Sequence, residues 1–446
     1  MRSIFLMRVF LSAGEPSGDH HAALLVRALR AHPDFRDRPE ELECVGLGGP
    51  RMAAEGCGLV ADLTELAVMW IGRTIVSIHR FVEMTRRAER SFIQAKPDVC
   101  VLVDFPGFHW WLAWRAKRHG IPVVFYCPPQ IWAWASWRIG KMRRLVDHVL
   151  SALPFEHDWF VDRGMSSTLV GHPFFDEACS STPATEAVAP GAAMAAAGRD
   201  MVLLLPGSRT QEIVSNLPTL LASATRVRAR LPEVRCVVGA LHERHAERIR
   251  DSVRAAGLET AVEVIAGRTQ SLIQQAHCAI AVSGSVSLEL LQARVPTVIV
   301  YRIGPVAYVV QSWCRHARFI TLVNLLAVPE PLGPVQGIWT APRQVAPADP
   351  RAIYPEYLSV QDPSAHVAGH LLEWLGDASA RERVVAQLEK LAAAVAVPGS
   401  AAKAAAAVLA LAGQAGKPTA AVRDRYRGAG NRARGGNSPQ QARQAA

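Results

Sequence analysis

Residues 11–21 read LSAGEPSGDHH, and the chain changes character on either side of them. The apolar run IFLMRVFL at 4–11 predicts a strand, and AALLVRALRAH at 22–32 has the spacing of an amphipathic helix. A strand, a glycine turn and a helix in this order form the ligand-binding turn of many nucleotide-binding folds. Glu15 lies in this turn, where a phosphate would need a neutral or positive lining. The stretch therefore predicts an α/β fold and leaves open which ligand an acidic turn binds.

Strands and helices continue to alternate along most of the chain. Short apolar runs typical of strands are separated by helical patterns and lie at 4–12, 43–47, 99–104, 122–127, 147–152 and 167–170. After a small, proline-bearing stretch, further strands follow at 201–205, 234–239, 262–265, 278–282 and 296–301. This alternation predicts parallel sheets joined by right-handed crossovers. The expected fold class is α/β, with two Rossmann-like parallel-sheet domains facing across a cleft.

A chain of 446 residues is too long for one ordinary core and suits two domains. We predict an N-terminal Rossmann-like domain at 1–177, a linker at 178–199 and a C-terminal Rossmann-like domain at 200–362. Helical patterns at 363–376 and 379–413 predict a C-terminal helical segment at 363–414. The basic tail at 415–446 is rich in Gly, Ala and Arg and is expected to be disordered.

Composition favours a soluble globular protein, with 50% hydrophobic and 20% charged residues. The longest apolar runs are interrupted well short of the ~18–20 residues of a spanning helix. The N-terminal segment resembles a signal peptide, but Arg8 in its middle favours a first strand, so a cytoplasmic protein is expected. The eight cysteines form no CxxC pair, which favours buried thiols over zinc ligands or disulfides. The net charge is +10, and more than half of the excess lies from Lys417 onward, so it says little about the core.

Two turns in the second half of the chain have the layout of phosphate-binding loops. LLLPGSRTQEI at 203–213 leads from a strand through Gly207 and Ser208 to Arg209, where backbone N–H groups and a guanidinium can hold an anion. AIAVSGSVSLELL at 279–291 repeats this geometry with Ser283, Gly284 and Ser285, and Glu289 one turn later can accept hydrogen bonds from a ribose. The alternative is a pair of ordinary capped helices with a solvated arginine. Two such loops in one domain favour a nucleotide.

The stretch KPDVCVLVDFPGFHWW at 96–111 offers two aspartates, one at each end of a strand. Six residues at ~3.3 Å each place Asp98 and Asp104 roughly 20 Å apart, on opposite edges of the sheet. Only Asp104 can then lie at the ligand edge, where it is a candidate general base. The alternative is an aspartate that caps a turn.

Two further stretches suit contacts with sugars or lipids. FYCPPQIWAWASWRIGKMRR at 125–144 carries three irregularly spaced tryptophans, which suit sugar rings, acyl chains or a core cluster, and then a basic face. ELAVMWIGRTIVSIHRFVEMTRRAER at 65–90 has the composition of an interfacial helix, and the alternative is an ordinary buried helix. The candidate membrane-surface residues are Met69, Trp70, Ile71, Arg73, Ile75 and Ile78.

No metal site is predicted. HERH at 242–245 does not match HExxH, and the adjacent side chains of Asp19, His20 and His21 would point ~100° apart on a helix.

With these stretches the chain resembles the members of the lipid-A-disaccharide synthase family, which are GT-B glycosyltransferases. The resemblance runs from about residue 8 to 330 and more weakly to about 410. It is carried by SAGEPSGD, GGPRMAAEGC, ELAVM, KPDVCVLVDFPGF, YCPPQIWAW, LPFE, VGHP, LLPGSR, SGSVSLE and VNLLA. It implies transfer of 2,3-diacylglucosamine from UDP-2,3-diacylglucosamine to 2,3-diacylglucosamine 1-phosphate, with release of UDP and formation of a β-1,6 disaccharide. It also implies an enzyme without metal or organic cofactor, at the cytoplasmic face of the inner membrane, whose partners are its substrates and an anionic membrane surface, without nucleic acid. The resemblance further implies that the helices at 363–414 return toward the N-terminal domain, and it leaves open whether the protein forms a homodimer.

The resemblance assigns roles to individual residues. Asp104 would be the base of an inverting displacement, and Arg209 with two helix N-termini would stabilise the departing UDP. The nucleotide-binding residues would be Gly207, Ser208, Arg209, Ser283, Gly284, Ser285, Glu289 and Asn324. The AGEPSGD turn would then serve the acceptor, because an acidic turn can accept hydrogen bonds from sugar hydroxyls. The acceptor-binding residues would be Glu15, Ser17, Gln130 and Trp132.

The sequence departs from the family pattern at several points. Trp70 stands where glycine is usual after AVM. In YCPPQIWAW, Pro128 and Gln130 replace the two serines of SPSVWAW, a common version of this stretch. VPEPLG at 328–333 and Ser359 alter segments on the donor side. Two alternatives remain: another GT-B enzyme acting on UDP-N-acetylglucosamine, either an epimerase or a transferase, and a non-catalytic membrane-surface relative.

Overall fold

The computed structural model describes residues 6–64, 76–176, 200–333 and 344–415. The chain divides into two compact units. One comprises the residues up to Tyr126, Leu145–His148 and the chain from Ala402, and the other comprises Cys127–Arg144 and Val149–Ala401.

The first sheet has seven strands, and all its described pairings are parallel. Its strands are β1 (Met7–Ala13), β2 (Leu42–Gly48), β3 (Gly58–Asp62), β4 (Val99–Val103), β5 (Val123–Tyr126), β6 (His148–Ser151) and β7 (Ser167–Leu169). They lie in the order β3-β2-β1-β4-β5-β6-β7. Val9, Phe10 and Leu11 of β1 are fully buried, as expected for a strand covered on both faces.

The helices that accompany this sheet follow the turns at its strand ends. They are α1 (Pro16–Arg30), α2 (Pro50–Ala54), α3 (Val76–Gln94), α4 (Pro106–Arg118), α5 (Ile131–Trp134), α6 (Ile139–Leu145) and α7 (Pro154–Asp162). Four of them, α1, α2, α4 and α7, begin with proline, whose fixed φ suits the first helical position and whose missing N–H is not needed there.

The second sheet has six parallel strands in the order β10-β9-β8-β11-β12-β13. They are β8 (Met201–Leu205), β9 (Arg235–Ala240), β10 (Val262–Ala266), β11 (Cys278–Ala281), β12 (Thr297–Arg302) and β13 (Glu356–Ser359). The helices are α8 (Thr210–Arg230), α9 (Glu243–Ala255), α10 (Thr269–Gln275), α11 (Val286–Gln292), α12 (Pro305–Cys314), α13 (Leu322–Ala327), α14 (Ser364–Gly376), α15 (Ala378–Val395) and α16 (Ser400–Ala415). Successive residues of β8 alternate between two buried hydrophobic clusters, so this sheet too is covered on both faces.

Both sheets reverse their strand order at one point, between β1 and β4 in the first and between β8 and β11 in the second. Ligands of open α/β sheets bind at the carboxyl ends of the strands beside such a point. The turns that follow these four strands are all among those that the sequence singles out. The prediction of an α/β fold with two parallel sheets is confirmed.

Some elements differ from the sequence prediction. The strands β3 and β13 were not predicted, and the helix predicted at 379–413 is divided into α15 and α16 around Pro398 and Gly399. Asp176 accepts hydrogen bonds from the N–H groups of Gly399, Ser400 and Ala401 at 2.6–2.9 Å and so caps α16.

The stretch Ala378–Gly413 is the one part of the described chain that is long and apolar enough to cross a membrane by length and composition. It consists of the two separate helices α15 and α16, and 33% of its most apolar 18 residues is buried. Core helices of globular domains meet the same criterion, so this stretch is weak evidence for a span.

Candidate active site

The turn after β1 lies against the turn after β4. A methyl group at Gly14 would lie 2.2 Å from Cδ1 of Phe105, so only glycine allows the aromatic ring to rest on this backbone. A methyl group at Gly18, in the first turn of α1, would lie 3.8 Å from Cβ of Asp104. Glu15 is half-buried and Ser17 is exposed in the same turn. The proposed acceptor turn and the proposed base are therefore neighbours.

Asp104 follows β4 directly and has an unusual backbone conformation. Its φ is +53° and that of Phe105 is +49°, both in the left-handed region that non-glycine residues rarely adopt. Each such residue costs on the order of 1–3 kcal/mol and persists only where its surroundings hold it. The N–H group of Asp104 donates to the carbonyl oxygen of Tyr126 at 3.3 Å. A strained strand-to-helix turn that presents one side chain is also how hydrolases expose a nucleophile.

Asp98 lies at the opposite edge, where the sequence predicts it. Its carboxylate accepts a hydrogen bond from the N–H of Arg8 at 2.8 Å, and its own N–H donates to the Arg8 carbonyl at 2.9 Å. Asp98 therefore joins the starts of β1 and β4, far from the turns that follow them.

His109 of α4 is fully buried beside this turn. Its Nδ1 lies 2.5 Å from the carbonyl oxygen of Asp104, and its Nε2 lies 2.9 Å from Oγ of Ser12 in β1. Burial lowers the pKa of His109 to about 4, so the imidazole is neutral at pH 7. Sequence reasoning missed His109, because a lone histidine within an aromatic run gives no pattern.

Asp19 has a structural role that the sequence also did not show. Its buried carboxylate accepts the N–H groups of Gly49, Arg51 and Met52 at 2.8–3.2 Å. It thereby caps α2 and fixes it to α1.

The tryptophans after β5 have different environments. Trp132 is 1% exposed, its indole N–H donates to Oε1 of Glu156 at 2.9 Å, and its ring packs edge-on against Phe155. Burial raises the pKa of Glu156 to about 7, while Trp132 and backbone N–H groups stabilise its carboxylate. Trp134 and Gln130 are exposed. Trp132 thus belongs to the core, and a direct acceptor contact from this stretch is better assigned to Gln130.

The loop after β8 is occupied by a carboxylate of its own helix. Gly207 has a φ of +114°, and Oε2 of Glu212 accepts the N–H groups of Ser208 at 3.1 Å and Arg209 at 3.2 Å. The guanidinium of Arg209 lies 3.6 Å from Glu212 and is 60% exposed. These N–H groups therefore converge on a point that suits an anion, and a phosphate there would have to displace Glu212.

The loop after β11 is held by a hydrogen bond to the segment that precedes α13. The hydroxyl of Ser283 donates to the carbonyl of Ile320 at 2.5 Å, while Gly284 and Ser285 are exposed and Glu289 is half-buried. This geometry leaves the exposed backbone of the loop accessible to a ligand.

Asn324 is fully buried, which differs from a residue that reaches a nucleotide. Its amide bonds to the backbone of Tyr354 in both directions, at 2.8 and 3.0 Å, and donates to Glu356 at 2.7 Å. Glu356 also accepts the N–H groups of Ile320 and Thr321 at 2.7 and 3.0 Å. We conclude that Asn324 and Glu356 hold the segment that supports Ser283, so any effect of Asn324 on nucleotide binding is through position.

The predicted membrane-surface residues fall largely outside the described chain. Met69, Trp70, Ile71, Arg73 and Ile75 lie outside it, and so does the side chain of Ile78. Farther along α3, Met84, Ala88 and Phe92 are buried at helical spacing, so that half of the helix belongs to the core.

Within the described ranges, no group of three or more His, Cys, Asp or Glu side chains could hold a metal ion. The HERH motif provides only two histidines, with ring centroids of His242 and His245 5.8 Å apart.

Comparisons with known proteins identify the family. A family model described as lipid-A-disaccharide synthetase matches residues 9–333. The lipid-A-disaccharide synthase of Myxococcus xanthus (strain DK1622) is 35% identical over 320 residues, which cover 72% of this chain and 81% of that protein. That of Anaeromyxobacter dehalogenans (strain 2CP-C) is 31% identical over 393 residues, covering 88% and 94% respectively.

Among solved structures, the S. aureus MnaA–UDP co-structure is similar in fold, with a TM-score of 0.55 at 12% identity, covering 89% of this chain and 94% of that one. The family model and the two relatives cover most of the chain and agree on one description. The chain therefore belongs to the lipid-A-disaccharide synthetase family, glycosyltransferases of lipid A biosynthesis with the GT-B fold.

Proposed function

We propose that this chain is an inverting, metal-independent lipid-A-disaccharide synthase that uses Asp104 as its general base. Its reaction transfers 2,3-diacylglucosamine from UDP-2,3-diacylglucosamine to 2,3-diacylglucosamine 1-phosphate. Family membership supports the reaction. The observation that carries the chemistry is the strained, left-handed Asp104 at the carboxyl edge of β4, beside the reversal of strand order.

The reaction is a single displacement. The carboxylate of Asp104 takes the proton of the acceptor 6-hydroxyl as its oxygen attacks C1 of the donor sugar. The bond from C1 to the diphosphate oxygen breaks, and UDP leaves with the electron pair. A positioned base of this kind contributes ~10²–10⁴-fold to the rate. Three half-buried or exposed side chains would exchange hydrogen bonds with the hydroxyl groups of the acceptor sugar, namely Glu15, Ser17 and Gln130.

The leaving group is stabilised by the second sheet. Arg209 is suited to grip a diphosphate with parallel hydrogen bonds, since its guanidinium is exposed. The backbone of Gly207 and Ser208 lies next to it, and Gly284, Ser285 and Glu289 would contact the rest of the nucleotide. Charge stabilisation of this type needs no metal ion at the leaving group.

Two aspartates test the base assignment. Asp104→Asn should lower turnover by about two to four orders of magnitude while UDP affinity stays near the wild-type value. Asp98→Asn is the matched control, because its amide oxygen can still accept from Arg8 at the opposite edge. Equal losses of kcat in the two variants would remove Asp104 from the chemistry.

We further propose that the protein attaches peripherally to the cytoplasmic face of the inner membrane through an apolar surface that includes α12. No residue of this largely apolar helix is buried, and Val306, Val310 and Trp313 are 78%, 54% and 57% exposed at helical spacing. The N–H of His316, just after α12, donates to the carbonyl of Ala133 in α5 at 2.7 Å.

That contact places α12 near a second group of exposed aromatic residues. Trp134 and Trp137 are 47% and 64% exposed with ring centroids 6.4 Å apart, and Arg138 lies over the ring of Trp134. Exposed tryptophans with arginine and lysine beside them suit the interface of an anionic bilayer, where each basic residue contributes ~1 kcal/mol.

Sedimentation with vesicles tests this surface. Vesicles that contain anionic phosphatidylglycerol should bind the protein more strongly than vesicles of phosphatidylcholine alone. Trp137→Ser should weaken binding roughly 10- to 150-fold, since burial of a large apolar side chain contributes on the order of 1.5–3 kcal/mol. Trp111→Ser is the control, because Trp111 is equally exposed, at 66%, but lies on α4. Weaker binding of the Trp111 variant alone would place the membrane surface elsewhere.

A further inference from the structure

The backbone around Asp104 needs something to hold it, because two successive residues occupy the left-handed region. The N–H of Asp104 is bound by the neighbouring strand, through the carbonyl of Tyr126. Its carbonyl oxygen is bound by a side chain, Nδ1 of His109, at 2.5 Å. The strained residue is therefore held at both of its backbone polar groups.

The tautomer of His109 follows from its two partners. A carbonyl oxygen can only accept a hydrogen bond, so Nδ1 must carry the proton that faces Asp104. In the neutral ring Nε2 is then an acceptor, and the hydroxyl of Ser12 donates to it across 2.9 Å. The ring is enclosed by Phe105, Phe108 and Phe125, with centroids 5.9 Å away in each case. This apolar enclosure favours the neutral form and fixes the plane of the ring.

We propose that His109 is a positioning residue, whose Nδ1–H holds the carbonyl of Asp104 and thereby aims the carboxylate of Asp104 at the acceptor hydroxyl. This inference rests on the proposed role of Asp104 as the base and adds the group that orients it. His109 itself is 0% exposed and does not touch substrate. Ser12 completes the device from β1, so the ring ties the two strands beside the reversal point to the turn that carries the base.

Three substitutions separate the two hydrogen bonds of the ring. Asparagine places its amide where Nδ1 lies, so His109→Asn can keep the bond to Asp104. Glutamine reaches the position of Nε2, so His109→Gln can keep only the bond to Ser12. His109→Leu keeps neither. His277→Leu is the control, because His277 also bonds to a backbone carbonyl, that of Trp374 at 3.1 Å, but in the second unit.

The expected result is a difference between asparagine and glutamine. His109→Asn should keep kcat near the wild-type value, whereas His109→Gln and His109→Leu should lose about 10- to 100-fold in kcat, the effect of a reacting group misplaced by about 1 Å. KM and UDP affinity should change little in all of them. Equal losses in the Asn and Gln variants would overturn the proposal, and so would wild-type kcat in His109→Gln. This comparison holds even where His109→Leu does not fold.

The pH profile of kcat separates positioning from proton transfer. His109→Asn should keep the inflection on the acid side, because the base is still present. Loss of that inflection would mean that His109 itself carries the proton, which contradicts a positioning role. Wild-type turnover in Asp104→Asn would overturn the proposed function, whereas an inactive Asp104→Asn beside a fully active His109→Leu would overturn only this inference.

Discussion

Acidification is expected to destabilise the protein in a way that depends on His109. Burial lowers the pKa of its imidazole to about 4 in the folded state, against 6.5 for an exposed histidine. Between these values the unfolded chain binds a proton that the folded chain does not. The stabilisation is therefore fully present above pH 6.5 and is lost as the pH falls toward 4. The shift corresponds to ~3 kcal/mol in all, of which ~2 kcal/mol should be lost between pH 7 and pH 5.

Urea unfolding of the wild type and of His109→Asn at pH 7, 6 and 5 measures this effect. Burial likewise lowers the pKa of His172 to about 4, and this second histidine contributes to the pH dependence of both proteins. The difference between the two proteins therefore isolates His109. The free energy of unfolding of the wild type should fall by ~2 kcal/mol more than that of the variant over this range. Parallel pH dependences would refute the assignment of a buried, neutral His109 and with it the direction of both of its hydrogen bonds.

The remaining predictions concern Gly14, in the turn after β1, and Arg209, in the loop after β8. Gly14→Ala should lower the free energy of unfolding by about 1–3 kcal/mol and reduce turnover, because its methyl group would lie 2.2 Å from the ring of Phe105. The control is Gly107→Ala, whose methyl group would meet nothing within 4 Å and should not lower the free energy of unfolding. Thermal melts of the two variants measure the difference. Arg209→Ala should weaken UDP binding and turnover together, measured by calorimetry and initial rates, and activity should survive EDTA. A requirement for added Mg²⁺ or Mn²⁺ would show that a metal stabilises the leaving group.

Local patterns predicted the elements that position the site. The apolar run before Gly14 and the helical spacing after it determine β1 and α1, and a strand of known rise separates Asp98 from Asp104. These predictions depend on residues close together in the chain, where periodicity is informative.

The contacts that hold the site were not predictable in this way. Asp19 binds backbone 30 to 33 residues away, and Ser12 lies 97 residues from His109. Such pairs are brought together by strand order, which no local pattern encodes. Trp132 and the exposed Trp134 lie in the same aromatic stretch, so the local sequence does not distinguish them. Only the hydrogen bond from Trp132 to the buried Glu156 shows that Trp132 belongs to the core.

Several predictions keep that status. The roles of the individual site residues and the metal independence of the reaction are proposals with the tests given above, and the domain boundaries and the inverting course of the reaction are predictions. The linker at 178–199 and nearly all of the basic tail at 415–446 lie outside the described residues.

The most direct test of the proposed function is the product. The purified protein is incubated with UDP-2,3-diacylglucosamine and 2,3-diacylglucosamine 1-phosphate in mixed micelles without divalent metal, and the products are analysed by mass spectrometry. We predict a tetraacylated disaccharide 1-phosphate and one equivalent of UDP, both greatly reduced with Asp104→Asn. Folded wild-type protein that makes no disaccharide from this pair, but converts UDP-N-acetylglucosamine instead, would contradict it.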